Sequence, residues 1–383
     1  MLERRYNLQE LCAVSFPKKR FHVISLPHTA VDAVYSWCAY TQKVRRFADM
    51  MSSLGHECVV YGGDEYGGAA FEKDHTKQTE PPCWDQNHVF WAEMATNVLN
   101  KIKSSLKDGD FVCLISGVQQ WIVNRMKSVC RGIKFHVVEF GIGYSSYTPT
   151  NFCVFESYSW MNAVYSQGGA SVANGRSMDI VIPNSYDEKE IEFSENVGNY
   201  ILFVGRCIVR KGLLAAAKLA AKMKIPLKIA GAETKEIQMA RLKNLPNVEY
   251  LGIVTDVKKK SRLFGEALAT IVLTKYIGPF EGVHVEAQFA GCPVLTTDWG
   301  VFIETVQNGF NGFRASTEED WEKYLGELIS WKDSPDYMEK RKKIREHAVK
   351  NYSTAVVRHL YDSYFEKIAK GEVKQNDGFF FDA

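Results

Sequence analysis

The residues best suited to chemistry lie in two segments of the second half of the chain. The first is Phe203-Val204-Gly205-Arg206-Cys207-Ile208-Val209-Arg210-Lys211-Gly212, an apolar strand that runs into a glycine and basic side chains just before a helix. In open α/β sheets, strand ends that face helix N-termini are where phosphorylated ligands bind, and the helix dipole adds attraction for an anion. Arg206 offers a planar fork to phosphate oxygens and Lys211 a point charge, so together with Gly205 they suit a diphosphate. The same two charges would stabilise a diphosphate as it departs. Two solvated cations on a loop explain so short a motif equally well. The second segment, Glu281-Gly282-Val283-His284-Val285-Glu286, places Glu286 on a helix that is followed by a glycine turn and a strand. An acid opposite a basic loop can accept hydrogen bonds from ribose hydroxyls. Alone, Glu286 reads as a solvated helix residue; the ordered succession of strand, basic loop, further strands and acidic helix argues against coincidence.

In the first half, Pro27-His28-Thr29 closes the first apolar run and therefore sits at the carboxyl edge of a sheet. His28 there binds an acceptor or a phosphate, shuttles a proton, or is simply a structural histidine. Gly141, Gly143 and Tyr144 follow another strand, where the glycines permit close approach of backbone to a ligand, and Glu139 just before them is a polar candidate. Phe155 to Met161 is aromatic and reads as core. Asp108-Gly109-Asp110 has the form of a metal-binding DxD, but it precedes a strand and reads as a turn. No His, Asp or Cys cluster has ligand spacing, so no metal is expected.

These residues need a scaffold, and 383 residues exceed what one core usually serves, so two domains are expected. Short apolar runs alternate with amphipathic stretches, the layout of a parallel sheet with crossover helices. Strands are predicted at 21–26, 58–61, 111–115, 135–138 and 180–182, then at 200–204, 227–230, 248–251, 270–273 and 294–297. Helices are predicted at 40–54, 89–106, 213–223, 234–243, 258–266 and 283–290, with a last one at 353–369, and 63–86 reads as a loop. The acidic stretch to Asn199 reads as a linker and hinge. The fold class is α/β, with a Rossmann-like domain at 1–185, a second at 186–352, and a terminal helix and tail at 353–383.

Composition narrows the partners. With 46% apolar and 24% charged residues the protein is a packed globule, and no apolar run is long enough to span a bilayer. The N-terminus lacks the layout of a secretory signal, and nine scattered cysteines without a CxxC pair suit a reducing compartment, so a cytoplasmic protein is expected. The first 197 residues hold 19 basic against 22 acidic side chains and the remainder 28 against 23, a balance that suits an anionic ligand in the second half.

The segments GRCIVRKG, LKIAGA, NVEYLG and EGVHVEAQFAGCPVLTTDWG resemble glycosyltransferase family 4, retaining enzymes of the GT-B fold. Further marks at Leu26 to Thr29, Cys38 to Lys43, Ser53 to His56, Gly141 to Tyr144 and Phe155 to Met161 resemble a bacterial and phage subgroup, so the resemblance covers about residues 20 to 355. It implies two Rossmann-like domains facing a cleft, with the final helix crossing back to the first. Activity is then transfer of a sugar from a nucleotide-diphosphate sugar, UDP-sugar favoured, to a hydroxyl with retention and without metal or cofactor. Gly205, Arg206, Lys211, Glu281, Gly282, Val283 and Glu286 would hold the donor, with Arg206, Lys211 and His28 serving catalysis. Pro27, His28, Thr29, Glu139, Gly141, Gly143 and Tyr144 would line the acceptor side. The family motif opens with a Glu where this chain has Gly278, and Glu281 stands three residues later. The acceptor is expected to be a glycan. Alternatives are a modified base of phage DNA, a sugar-nucleotide epimerase that needs no acceptor, and an inactive sugar-nucleotide-binding protein.

Overall fold

The computed structural model describes residues 12–35, 38–62, 89–167, 176–235 and 241–373. The loop predicted at 63–86, most of the N-terminal stretch and the Phe-rich tail lie outside them. The chain divides into two compact units, one formed by Tyr6–Ser185 with Thr354–Ala383 and the other containing Tyr186–Ser353.

In the first unit the strands β1 (Arg20–Ile24), β2 (Glu57–Tyr61), β3 (Phe111–Leu114), β4 (His136–Ile142), β5 (Phe152–Phe155) and β6 (Ile180–Val181) form a sheet of order β2-β1-β3-β4-β5-β6. Every pairing is parallel. The strands are mostly apolar, as expected where helices cover both faces of such a sheet, though His22 and Glu139 interrupt β1 and β4. Those helices are α1 (Ala39–Ser53), α2 (Val89–Ile102), α3 (Gln120–Val129) and α4 (Tyr158–Gln167). The chain returns to this unit as α11 (Thr354–Ala369), whose Phe365 packs on Phe21, Phe47 and Phe111. Asp362 of α11 accepts from His56 Nε2 at 3.0 Å, and Glu366 pairs with Lys19 at 2.9 Å.

The second unit holds β7 (Ile201–Val204), β8 (Leu227–Ala230), β9 (Val248–Gly252), β10 (Ala269–Val272), β11 (Val294–Thr297) and β12 (Gly312–Ala315) in the order β12-β11-β10-β7-β8-β9, again parallel throughout. Its helices are α5 (Leu213–Lys222), α6 (Val257–Glu266), α7 (Val283–Phe289), α8 (Phe302–Thr305), α9 (Glu318–Trp331) and α10 (Tyr337–Tyr352). Alternate residues of β7 serve opposite faces: Ile201 and Phe203 enter one apolar cluster, and Leu202 enters the other.

Several expectations change. The stretch read as a linker is packed into the second unit: Ile191 is buried, Glu192 N donates to Ser261 Oγ at 2.8 Å and Gly198 N to Glu266 O at 2.8 Å. Its acidic composition concealed an apolar anchor. Strand β4 runs on to Ile142, so Glu139 and Gly141 lie within it, where pairing with β5 shifts register between Glu139 and Ile142. Half of the helix predicted at 234–243, residues 236–240, falls outside the described residues; Lys235 before them is helical, and a short 3-10 turn, Leu242–Asn244, lies at its end. β5, β12, α3, α4 and the short α8 were not anticipated.

Candidate functional site

Strand order locates the site. In the second sheet β7 comes first in sequence yet lies between β8 and β10, so the connections that follow β7 and β10 run in opposite directions. Such a switch point opens a crevice at the carboxyl ends of β7 and β10, where open α/β sheets take ligands. The loop after β7 carries Gly205, Arg206 and Lys211; the loop after β10 runs from Leu273 through Gly278 to Glu281.

Backbone contacts bind these two loops together. Lys275 N donates to Arg210 O at 2.8 Å, and Tyr276 lies beneath the Arg210 guanidinium, 4.3 Å from ring centre. Gly212, at φ 80°, lets the chain turn into α5; a Cβ there would stand 2.1 Å from Leu273 O. Below the loop, Gly231 is equally required, because a Cβ on it would meet Gly205 O at 1.9 Å and Cys207 Sγ at 2.8 Å. Tyr250 fixes that seat by donating to Gly231 O at 2.8 Å.

The two cations predicted to act together differ in state. Arg206 is exposed and forms no ion pair or side-chain hydrogen bond among the described residues. Lys211 is paired with Glu281 by a short contact from Nζ to Oε2. Glu281 has a left-handed backbone, φ 56°, and its carbonyl accepts from His284 Nδ1 at 2.7 Å. His284 is fully buried between Phe280 and Phe302, and burial lowers its pKa to about 4. It is therefore neutral at physiological pH, with Nδ1 as donor.

Glu286 lies on α7, which begins at Gly282 and Val283 without a side-chain cap. Its Oε1 accepts from Lys260 Nζ of α6 at 2.8 Å. Arg341, wholly buried, holds both helices by their carboxyl ends, donating to Gly265 O at 2.5 Å, Ala267 O at 3.2 Å and Ala290 O at 3.5 Å. Terminal carbonyls lack intrahelical partners, and a guanidinium satisfies several at once. Sequence reasoning missed Lys260, Arg341 and the Glu281 pairing.

The first unit has its own switch point, between β1 and β3. Gln119 stitches it: Nε2 donates to Ile24 O and Ser25 O, at 3.0 and 2.7 Å, while Oε1 accepts from Ile115 N and Ser116 N. Pro27, His28 and Thr29 follow β1 and are buried. His28 Nε2 lies 3.4 Å from Cys38 Sγ, and burial lowers its pKa to about 4. Thr29 is bonded to Thr41. Glu139 is fully buried, and its oxygens are taken by Tyr144 Oη at 2.9 Å, Thr148 N at 2.8 Å and Asn151 Nδ2 at 3.1 Å. Burial raises its pKa, and these donors oppose the rise. It clamps its own loop. Gly141, at φ 59°, makes room for the Lys43 stem, and its carbonyl accepts from Lys43 Nζ at 3.0 Å; Gly143 lies one residue beyond the strand end. Asp108 and Asp110 shape a turn, accepting from Lys134 N and Lys107 N at 2.7 and 2.8 Å. Phe155 is core, and Tyr158, Trp160 and Met161 pack against the same cluster. Among the described residues no group of three or more His, Cys, Asp or Glu side chains is placed to hold a metal ion. None of their helices is long and apolar enough to cross a membrane.

Residues 186–351 match the family described as Glycosyl transferases group 1. A search of curated proteins finds no significant match. Among solved structures, a sucrose-phosphate synthase from Thermosynechococcus elongatus superposes with a TM-score of 0.69 at 12% identity, covering 92% of this chain and 100% of that one. AviGT4, a glycosyltransferase involved in avilamycin A biosynthesis, gives 0.63 at 17% identity over 92% of this chain and 98% of its own. Anabaena HepE, solved in complex with UDP-glucose, gives 0.60 at 15% identity over 92% and 99%. Residues 186–351 thus match the Glycosyl transferases group 1 family model, and the chain has the two-unit α/β fold of GT-B glycosyltransferase structures.

Proposed function

We propose that this enzyme transfers a sugar from a nucleotide-diphosphate sugar to an acceptor hydroxyl with retention of configuration and without a metal. The observation that carries the reading is the switch point of the second unit, where the Gly205-to-Lys211 loop and the loop leading to Glu281 are bonded together inside the group 1 module. Arg206 and Lys211 would grip the diphosphate, and Glu286, aimed by Lys260, would accept from ribose hydroxyls. UDP is the favoured nucleotide because the structurally similar HepE was solved with UDP and UDP-glucose.

Among the described residues of the module we assign no side chain as a nucleophile, so the reaction we favour is front-face substitution: the bond from anomeric carbon to phosphate oxygen breaks as the acceptor oxygen attacks from the same side, and the departing phosphate takes its proton. Arg206 and Lys211 act by stabilising charge on the leaving group. The acceptor, a glycan hydroxyl in this reading, is assigned to the first unit's switch point with Pro27, His28 and Thr29. Neutral His28 can accept a hydrogen bond there.

Thermal shift across UDP-, GDP- and ADP-sugars tests donor binding, since a ligand that binds only the folded state raises the melting temperature. Arg206→Ala is expected to lower turnover about 100-fold or more with an unchanged melting temperature in the absence of donor. Wild-type turnover by that variant would remove Arg206 from the mechanism.

A further inference from the structure

The pairing of Lys211 with Glu281 rests on two departures from ordinary sequence preference. Glu281 is left-handed, one of three non-glycine residues with positive φ among the described residues. Strained backbone persists where its surroundings over-determine it. Here the carbonyl is held by His284 and the carboxylate by Lys211. The second departure is Gly278. Its φ lies outside the left-handed range, so the missing side chain serves space rather than backbone freedom. A Cβ at 278 would fall 2.0 Å from Glu281 Oε1, 2.5 Å from its Cγ and 2.6 Å from its Cδ. The Glu281 carboxylate therefore stands in the volume where a side chain at 278 would begin, and any residue larger than glycine there would evict it. The pair is sheltered, its side chains 19% and 5% exposed. Among the described residues Arg206, on the same loop, is open and unpaired.

We propose that Glu281 is a resident counter-anion of the phosphate site: it neutralises Lys211 while the site is empty, and an incoming diphosphate must displace it to reach that lysine. This rests on the reading of Lys211 as a diphosphate ligand. Two anions held against one sheltered ammonium repel each other, and water screens them little. Binding thus exchanges one partner of Lys211 for another, and the cost of that exchange weakens every ligand that takes Lys211. Gly278 is the residue that admits the competitor.

The test uses inorganic pyrophosphate as probe, with affinity measured by titration calorimetry on the full chain. Two variants remove the competitor by different routes: Glu281→Gln removes its charge and keeps its shape, and Gly278→Ala keeps the charge but pushes the flexible carboxylate aside. Both are expected to bind pyrophosphate on the order of tenfold more tightly than wild type. On a Lys211→Ala background neither change should add affinity. If either variant binds pyrophosphate no better than wild type, or the gain survives without Lys211, Glu281 is not a counter-anion and the inference falls. The nucleotide-sugar reading stands or falls separately: it fails if no sugar nucleotide binds the wild-type chain, even where the variants gain affinity for pyrophosphate.

Discussion

Individual side chains here are defined by the partners they hold before any ligand arrives. Lys211 and Glu286 each face an opposite charge, Glu281 and Lys260 respectively, whereas Arg206 faces none. Buried titration adds a measurable consequence. With its pKa lowered to about 4 against an ordinary 6.5, folded His284 stays neutral where the unfolded chain takes up a proton. Stability from this residue is thus fully present above pH 6.5 and is lost as pH falls from 6.5 toward 4. His284→Gln should be less stable at pH 7 but should lose less stability across that interval, as read from denaturant midpoints at each pH. An unchanged slope would mean that His284 already titrates normally. Arg206, Lys211 and Glu286 could be singled out as candidates from the sequence because residue type and position relative to a predicted strand end suffice for that choice. Glu281 was harder to place, since its role depends on a backbone angle and on the space left by Gly278. Lys260 did leave a signal: in the run Lys258-Lys259-Lys260 it stands one helical turn before buried Phe264 and so lies toward the covered face of α6.

At the level of elements, the site is a product of strand order. Because β7 and β10 are neighbours, two loops far apart in sequence share one crevice, and small residues let them fit. Gly231 is the sharpest case. Gly231→Ala would drive a methyl into Gly205 O and Cys207 Sγ, so it should destabilise the second unit by about 1–3 kcal/mol and weaken donor binding, both readable by calorimetry. Ala tolerated at no cost in either would show that the loop is not seated on Gly231. Most core strands were legible because residues buried on both faces form continuous apolar runs. Strand β12, Gly-Phe-Arg-Ala, offers no such run, and its half-buried Arg314 explains why it escaped notice. The start of the second unit misled for the converse reason. Charged residues around Ile191 look like solvent-exposed linker, yet that one side chain is buried, and Arg345 donates to its carbonyl at 2.7 Å.

Over the whole molecule, the same topology is written twice, once in each parallel sheet, and in each the switch point falls beside the strand that comes first in that sheet's sequence. The two copies differ in chemistry: the first offers a neutral buried histidine, the second cations and acids. Their connection was only partly legible, because no composition signal marks the return of the chain to its first unit at α11; contacts such as Phe365 on Phe21 do so. Tyr186 and Ser353 form a parallel bridge, and Tyr186 N donates to Tyr352 O at 2.9 Å, so the second unit begins and ends at the same place. A segment with adjoining ends behaves as an inserted cassette. Residues 186–353 expressed alone should fold and retain nucleotide-diphosphate binding without transferring sugar, as circular dichroism and calorimetry would report. An unfolded fragment would show that its core needs the flanking chain. By the same geometry a different cassette could be spliced in at these two residues, exchanging the second unit and leaving the sequence of the first untouched.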